Sequence, residues 1–454
     1  MNQEIQVEQA NENSMILTKK LCPLFIQFTL PAVIAMVMNG VQGMVDGMFV
    51  GNVLGSNAMA SVNLAIPFNQ LTMGLSMIVS IGAQSHIGLK LGTNNIIEAK
   101  DTFQTMFRIL IGIAGIITIL GLCFSRTLAV LVGANETLLN STAQYIQVMA
   151  CFSIPMSCVY YLGFLNRIVG KPEKYLQASL ISVIANIGLN YIFIVKLQLG
   201  VRGAALATGI GVSIGLLMVV KPLLDRKVVI NIYEGKFYRN CIKPVLYNGA
   251  SEGINSLSIA VTIFLFNTAF MKLEGEQGVA AFTAINYIGN FGMLILFGIS
   301  DGIGPIVSYN YGSGAINRVK KTLGGAYIVN FVLGCIIFTI LTFGGNQVTS
   351  IFVKNDPTIV AMAVSGGKLF AFTFLIQGFN ILNSGFFTFI GCGLESVIVA
   401  ASRGVIFITI GILILPVWLG ISGVWLCTVF AEVCAAVIGI YLLRRLSNGN
   451  NTYA

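Results

Sequence analysis

Apolar runs of twenty or more residues, set apart by short polar and basic stretches, recur about twelve times along this chain. A helix rises about 1.5 Å per residue and the hydrocarbon core of a bilayer is about 30 Å thick, so each run is long enough to cross it once. The pattern predicts spans at 24–50, 62–90, 105–124, 142–164, 175–196 and 203–222, then at 244–271, 280–310, 322–344, 360–390, 397–419 and 421–443. Several exceed the minimum length. Tilted or bent helices are therefore expected, with Pro31, Pro67, Pro155 and Pro305 as places where a bend can form.

The two sets of six runs repeat each other. Gly82 and Gly302, Gly92 and Gly312, Gly200 and Gly420, Gly203 and Gly423, Leu206 and Leu426, and Thr208 and Thr428 all differ by 220 positions. Single matches are cheap among 50 glycines, but one constant offset across both halves is not. The expected fold is an all-α integral membrane protein with about twelve transmembrane helices in two pseudo-symmetric six-helix lobes. Its expected parts are a tail at 1–20, an N-lobe at 21–224, a linker at 225–243, a C-lobe at 244–445 and a tail at 446–454.

Composition agrees with this reading. The 454 residues are 56% hydrophobic and 9% charged, against about 25% charged in a soluble domain. Mean hydropathy is +0.85. Of the 26 Lys and Arg, 20 fall on the side of the amino terminus, Arg167, Lys227 and Arg403 among them. Arg126, Lys196, Arg202, Lys272 and Lys354 fall on the other side, and Lys368 lies within a span. The positive-inside rule then places both termini in the cytoplasm. The net charge of +9 is spread over short loops and does not point to nucleic acid. The nine cysteines have no metal-ligand spacing, so neither a disulfide framework nor a metal site is expected.

Chemistry in such a protein has to come from polar groups inside the spans, where a charge near the bilayer centre costs about 3 kcal/mol or more. Asp46, in Met44-Val45-Asp46-Gly47-Met48, shares its span with Asn39 and Gln42. A desolvated carboxylate there would take up a proton or a sodium ion and release it when wetted, or else serve in a fixed structural hydrogen bond. Glu252 in Gly249-Ala250-Ser251-Glu252-Gly253 is either functional or a helix-start acid. Asp301, before Gly302-Ile303-Gly304-Pro305, is expected to cap a broken helix, with ligand binding as the alternative. Glu432, in mid-span, is expected to face another helix. Lys368 is expected to snorkel to the outer interface, and His86 to be interfacial beside Lys90.

Leu30-Pro31 followed by Asp46, Gly170-Lys171-Pro172 after the fourth span and Tyr309-Asn310-Tyr311-Gly312 closing the eighth together resemble the multidrug and toxic compound extrusion (MATE) family, most closely its bacterial MepA-like branch. The likeness runs from about Leu21 to Arg445. It implies a monomeric antiporter of the bacterial inner membrane that exchanges amphipathic, often cationic drugs for protons or sodium ions, with no cofactor and no enzyme activity. It also implies an N-lobe cavity with Asp46 as the cation-binding acid, Pro31 at a bend, and Tyr145, Asn186, Asn190 and Thr208 around it. Part of the related branch has aspartate at the position of Asn190 and asparagine at that of Gly163. The alternative is a flippase for lipid-linked sugars, which needs a basic central cavity. The few Arg and Lys expected inside the membrane argue against it.

Overall fold

The computed structural model describes residues 15–345, 347 and 357–448. Residues 1–14 of the expected tail at 1–20, residues 449–454 of that at 446–454, and Lys354 lie outside the described residues. The N-lobe contains α1 (Leu21–Phe49), α2 (Ser56–Gly92), α3 (Ile96–Leu131), α4 (Glu136–Cys151), α5 (Ser153–Ile168), α6 (Glu173–Asn190) and α7 (Gly200–Val220). The C-lobe contains α8 (Ile242–Gly312), α9 (Ile316–Phe343), α10 (Pro357–Ala371), α11 (Thr373–Phe389), α12 (Gly393–Ala401), α13 (Phe407–Leu419) and α14 (Ile421–Asn448). Short π-helical stretches extend α1 and α6 and join α12 to α13.

These elements make twelve crossings. Helices α4 and α5 form one span bent by 49°, and α10 and α11 another bent by 47°. The breaks fall at Phe152 and Phe372, again 220 positions apart. The 71 residues of α8 are too many for one crossing. The chain turns at Gly275, whose φ of 63° and ψ of −150° are not helical. Phe266 and Phe282, sixteen positions apart, consequently stack with ring centroids 5.1 Å apart, as two arms of a hairpin. Of the four prolines expected to bend helices, only Pro155 lies at a break. Pro31, Pro67 and Pro305 sit within unbroken helices.

Two segments expected to be loose are packed. Near the amino terminus, Ile16 is buried, and Arg318 Nη2 donates to the carbonyls of Ile16 and Lys19 at 3.0 and 2.9 Å. In the linker, Val228, Val229 and Ile230 are buried in the N-lobe core. Gln104 Nε2 donates to the Ile232 carbonyl, and Lys100 pairs with Glu234.

Of the repeated glycines, Gly82, Gly92, Gly302 and Gly312 lie where the lobes meet, whereas Gly203 and Gly423 pack on Phe193 and Leu415 within their own lobes. A Cβ on Gly92 would come within 2.3 Å of the Tyr309 carbonyl oxygen, and one on Gly312 within 2.3 Å of the Leu89 carbonyl oxygen. Since 309 is 89 plus 220 and 312 is 92 plus 220, these are one contact related by a pseudo-twofold axis. Gly302 on Thr29 and Gly249 on Gly82 form a second such pair, and Gly298 on Val33 and Gly253 on Ile78 a third. Small residues let helix backbones touch in the absence of a hydrophobic force between them, which accounts for glycines recurring at a constant offset. The Gly92 and Gly312 contact lies at the end carrying Lys90, Arg318 and Lys320, the basic end of the seam.

Candidate cation and substrate site

Asp46 stands one turn from the end of α1 and points into the N-lobe. Its Oδ1 accepts from Asn186 Nδ2 at 2.9 Å and from Asn190 Nδ2 at 2.7 Å, and its Oδ2 accepts from Thr208 Oγ1 at 3.0 Å. Helices α6 and α7 carry these donors. Gly211 and Gly215 of α7 allow it to lie close against the α6 carbonyls of Ser182 and Ala178, which brings Thr208 up to the carboxylate. All three donors are neutral. They hold the carboxylate in place without cancelling its charge. Asn190 Oδ1 is buried with no hydrogen-bond donor, so an unused oxygen stands beside the acid.

The acid opens on a cavity of about 350 Å³ lined by α1, α2 and α4–α7. Asn39, Gln42, Asn63, Asn69, Tyr145 and Thr208 supply polar groups, while Ile66, Met149, Met156 and Val159 supply apolar surface. Among the described lining residues there is no lysine, arginine or histidine, and Asp46 is the one carboxylate.

The model of the MatE family matches residues 31–192 and again 253–413, well over half of the chain and once in each lobe. The chain belongs to the MatE family. Multidrug export protein MepA of Staphylococcus aureus (strain bovine RF122 / ET3-1) is 29% identical over 433 residues, covering 92% of this chain and 93% of its own. The protein of the same name from Staphylococcus haemolyticus (strain JCSC1435) is 25% identical over 430 residues, covering 93% of each. Among solved structures, MATE in complex with MaL6 superposes with a TM-score of 0.91 at 22% identity, covering 96% of this chain and 99% of that one. An outward-facing multidrug resistance MATE family transporter superposes at 0.90 with 23% identity, covering 96% and 98%. The fold is accordingly that of an all-α, multi-pass membrane transporter.

Of the residues expected around Asp46, the structure gathers Asn39, Gln42, Tyr145, Asn186, Asn190 and Thr208. Pro31 is not among the cavity-lining residues. It sits fifteen positions earlier, inside α1.

The other acids lie elsewhere. Asp301 does not cap a helix. It is inside the continuous second arm of α8, with Oδ2 at 4.0 Å from Nη1 of Arg167. Glu252 does not start a helix either, because α8 begins ten residues before it; Asn255 Nδ2 reaches its Oε2 at 3.4 Å. Glu432 does face other helices. Its Oε1 accepts from Arg403 Nε at 3.2 Å and Nη2 at 3.0 Å, and its Oε2 from Asn380 Nδ2 at 2.7 Å. Lys368 is exposed. His86 Nε2 lies 3.7 Å from Glu98, which also pairs with Lys90 at 2.9 Å, so it sits at the basic end away from Asp46.

Sequence reading missed both buried arginines. Arg167 was expected in a loop and Arg403 on the cytoplasmic side, near the start of the span at 397–419, yet they are 1% and 8% exposed. Arg167 ends α5 between the lobes, and Arg403 lies in the π-helical stretch in the middle of the α12–α13 span. The expectation of few intramembrane arginines is therefore corrected, although neither residue lines the cavity. Tyr175 was missed as well. It lines the cavity, and its hydroxyl accepts from Asn39 Nδ2 at 3.4 Å.

Proposed function

We propose that this chain is a secondary active multidrug exporter, which exchanges amphipathic cations for protons or sodium ions across the bacterial inner membrane. The observation that carries this reading is the Asp46 carboxylate, held only by neutral donors at the wall of a partly apolar cavity. A drug cation and a coupling ion that compete for one carboxylate are coupled by that competition, because filling the acid removes the attraction holding the drug. A proton needs only the carboxylate oxygens, and a sodium ion can also use Asn190 Oδ1. Methionine and aromatic side chains around the acid give an adaptable apolar wall that suits varied substrates. The relatives that cover 92–93% of the chain at 25–29% identity carry the name multidrug export protein.

Exchange follows from alternating access, with the lobes moving about the glycine seam. The distribution of basic residues puts both termini and the basic end of the seam in the cytoplasm. We read the chain as a monomer with drug-like small molecules and membrane lipids as its partners, and no nucleic acid. The absence of a cationic side chain from the described cavity lining disfavours a flippase for anionic lipid-linked sugars.

The test is ethidium efflux from proteoliposomes under an imposed proton gradient or an imposed sodium gradient. Efflux driven by one ion and lost in Asp46→Asn names that ion and supports antiport. Full efflux in a well-inserted Asp46→Asn protein would overturn the role of the acid.

A further inference from the structure

Between the cavity and the seam lies a group that no step of the exchange above uses. Arg167 is fully buried, yet its Nη1 and Nη2 have no hydrogen-bond partner among the described residues. Its guanidinium packs 4.6 Å from the ring centroid of Phe164 and 5.0 Å from that of Tyr175. Across the lobe boundary it faces Asp301 Oδ2 at 4.0 Å, well beyond the roughly 2.7–2.9 Å of a closed charge-assisted bond. A buried arginine with free donors and a carboxylate just out of reach is held by its aromatic neighbours short of full pairing.

Tyr175 joins this group to the cavity. One edge of its residue lines the cavity, where its hydroxyl accepts from Asn39, and its ring lies against Arg167. Gly163 makes room for it, since a Cβ at that position would come within 2.2 Å of the tyrosine ring. The arrangement has no counterpart in the other lobe. The position 220 before Asp301 is Ile81, which packs in an apolar cluster with Phe387. The charged tie across the seam thus reaches only into the lobe that holds the Asp46 cavity.

We propose that Tyr175 and Arg167 are positioning residues through which occupancy of the Asp46 cavity acts on the lobe seam, with the Arg167–Asp301 pair as the tie that is tightened or released. A ligand shifts a two-state equilibrium only through contacts that differ between the states. Tyr175 supplies such a contact: a ligand that displaces its hydroxyl from Asn39 moves the ring on which the guanidinium rests. The link to a ligand depends on the exporter reading, whereas the tie itself does not.

Hydrogen–deuterium exchange on the full chain in lipid nanodiscs separates the two. Without ligand, Asp301→Asn and Arg167→Lys are expected to raise uptake severalfold at residues 85–95 and 305–315, on the two sides of the seam, and to leave 136–151 in α4 unchanged. Unchanged seam uptake in the folded Asp301→Asn protein, or an equal rise throughout the chain, overturns the tie. With saturating ethidium, whose binding is followed by its fluorescence, seam uptake is expected to change in the wild type and not in Tyr175→Leu. A full change in Tyr175→Leu overturns the link. Failure of ethidium to bind the wild type overturns the exporter reading and the link together, while the tie is still decided by exchange without ligand.

Discussion

Each lobe holds a carboxylate among its helices in a web of hydrogen bonds, and the two are treated in opposite ways. Asp46 in the N-lobe is held by two amides and a hydroxyl, while Glu432 in the C-lobe is held by Arg403 and Asn380. The first is held by neutral donors alone and faces a cavity. The second is neutralised within the protein and takes no part in the cavity lining. The repeat sharpens the contrast. The mate of Asp46, 220 positions on, is Phe266, fully buried and stacked on Phe282, and the mate of Glu432 is Val212, on the wall of the Asp46 cavity. Duplication therefore kept the helices and the seam while acids were placed independently, one at a cavity wall and one in a buried ion pair.

The largest expected effect tests the first half of that contrast. A monovalent cation about 4 Å from an uncompensated carboxylate gains about 4 kcal/mol at an effective dielectric of 20, so Asp46→Asn should weaken ethidium binding by roughly a thousandfold. Fluorescence titration measures the affinity and vesicle efflux measures transport. Stability should change by about 1 kcal/mol or less, because the amide keeps the shape and Thr208 can turn its hydroxyl to accept. A large loss of thermal stability with binding intact would reverse the assignment.

Glu432→Gln should show the opposite profile. Breaking a buried ion pair by removing one partner costs about 3–5 kcal/mol, since Arg403 is left charged and buried. A marked fall in melting temperature is expected, while the protein that remains folded binds ethidium with wild-type affinity. The double variant Arg403→Leu, Glu432→Leu should recover most of the lost stability, because no charge is then left unpaired. A double variant as unstable as Glu432→Gln would mean that the pair does more than neutralise itself.

The sequence made much of this legible, for identifiable reasons. Apolar runs and the 220-residue offset follow from the needs of bilayer crossing and backbone contact, so the helices, the two lobes and the seam glycines could be read directly. Asp46 stood out as an acid inside an apolar run. Asp301 was misread because Gly302, Gly304 and Pro305 resemble a helix break. In the structure those glycines admit other groups: Gly302 meets the Thr29 backbone, Gly304 meets the Phe389 ring, and the helix runs on. Arg167 and Arg403 were hidden by sequence neighbours. Gly170-Lys171-Pro172 follows the one and makes it look like a loop position, and the other stands near the cytoplasmic start of its expected span until the partner acids are seen in space.

The finest test compares two threonines that the repeat makes equivalent. Thr208 Oγ1 donates to Asp46 Oδ2 at 3.0 Å, and its mate Thr428 shares a hydrogen bond with Thr373 at 2.9 Å. A hydrogen bond to a charged group contributes about 1.5–3 kcal/mol and one between neutral groups about 1 kcal/mol. Thr208→Val leaves the carboxylate less well fixed, so ethidium affinity and efflux should fall by about tenfold, with a loss of stability of about 1.5–3 kcal/mol. Thr428→Val should leave both transport readouts at the wild-type level and lower stability by about 1 kcal/mol. Equal transport defects at the two positions would show that the C-lobe threonine also touches the exchange path, and the division of labour between the lobes would fail at its smallest element.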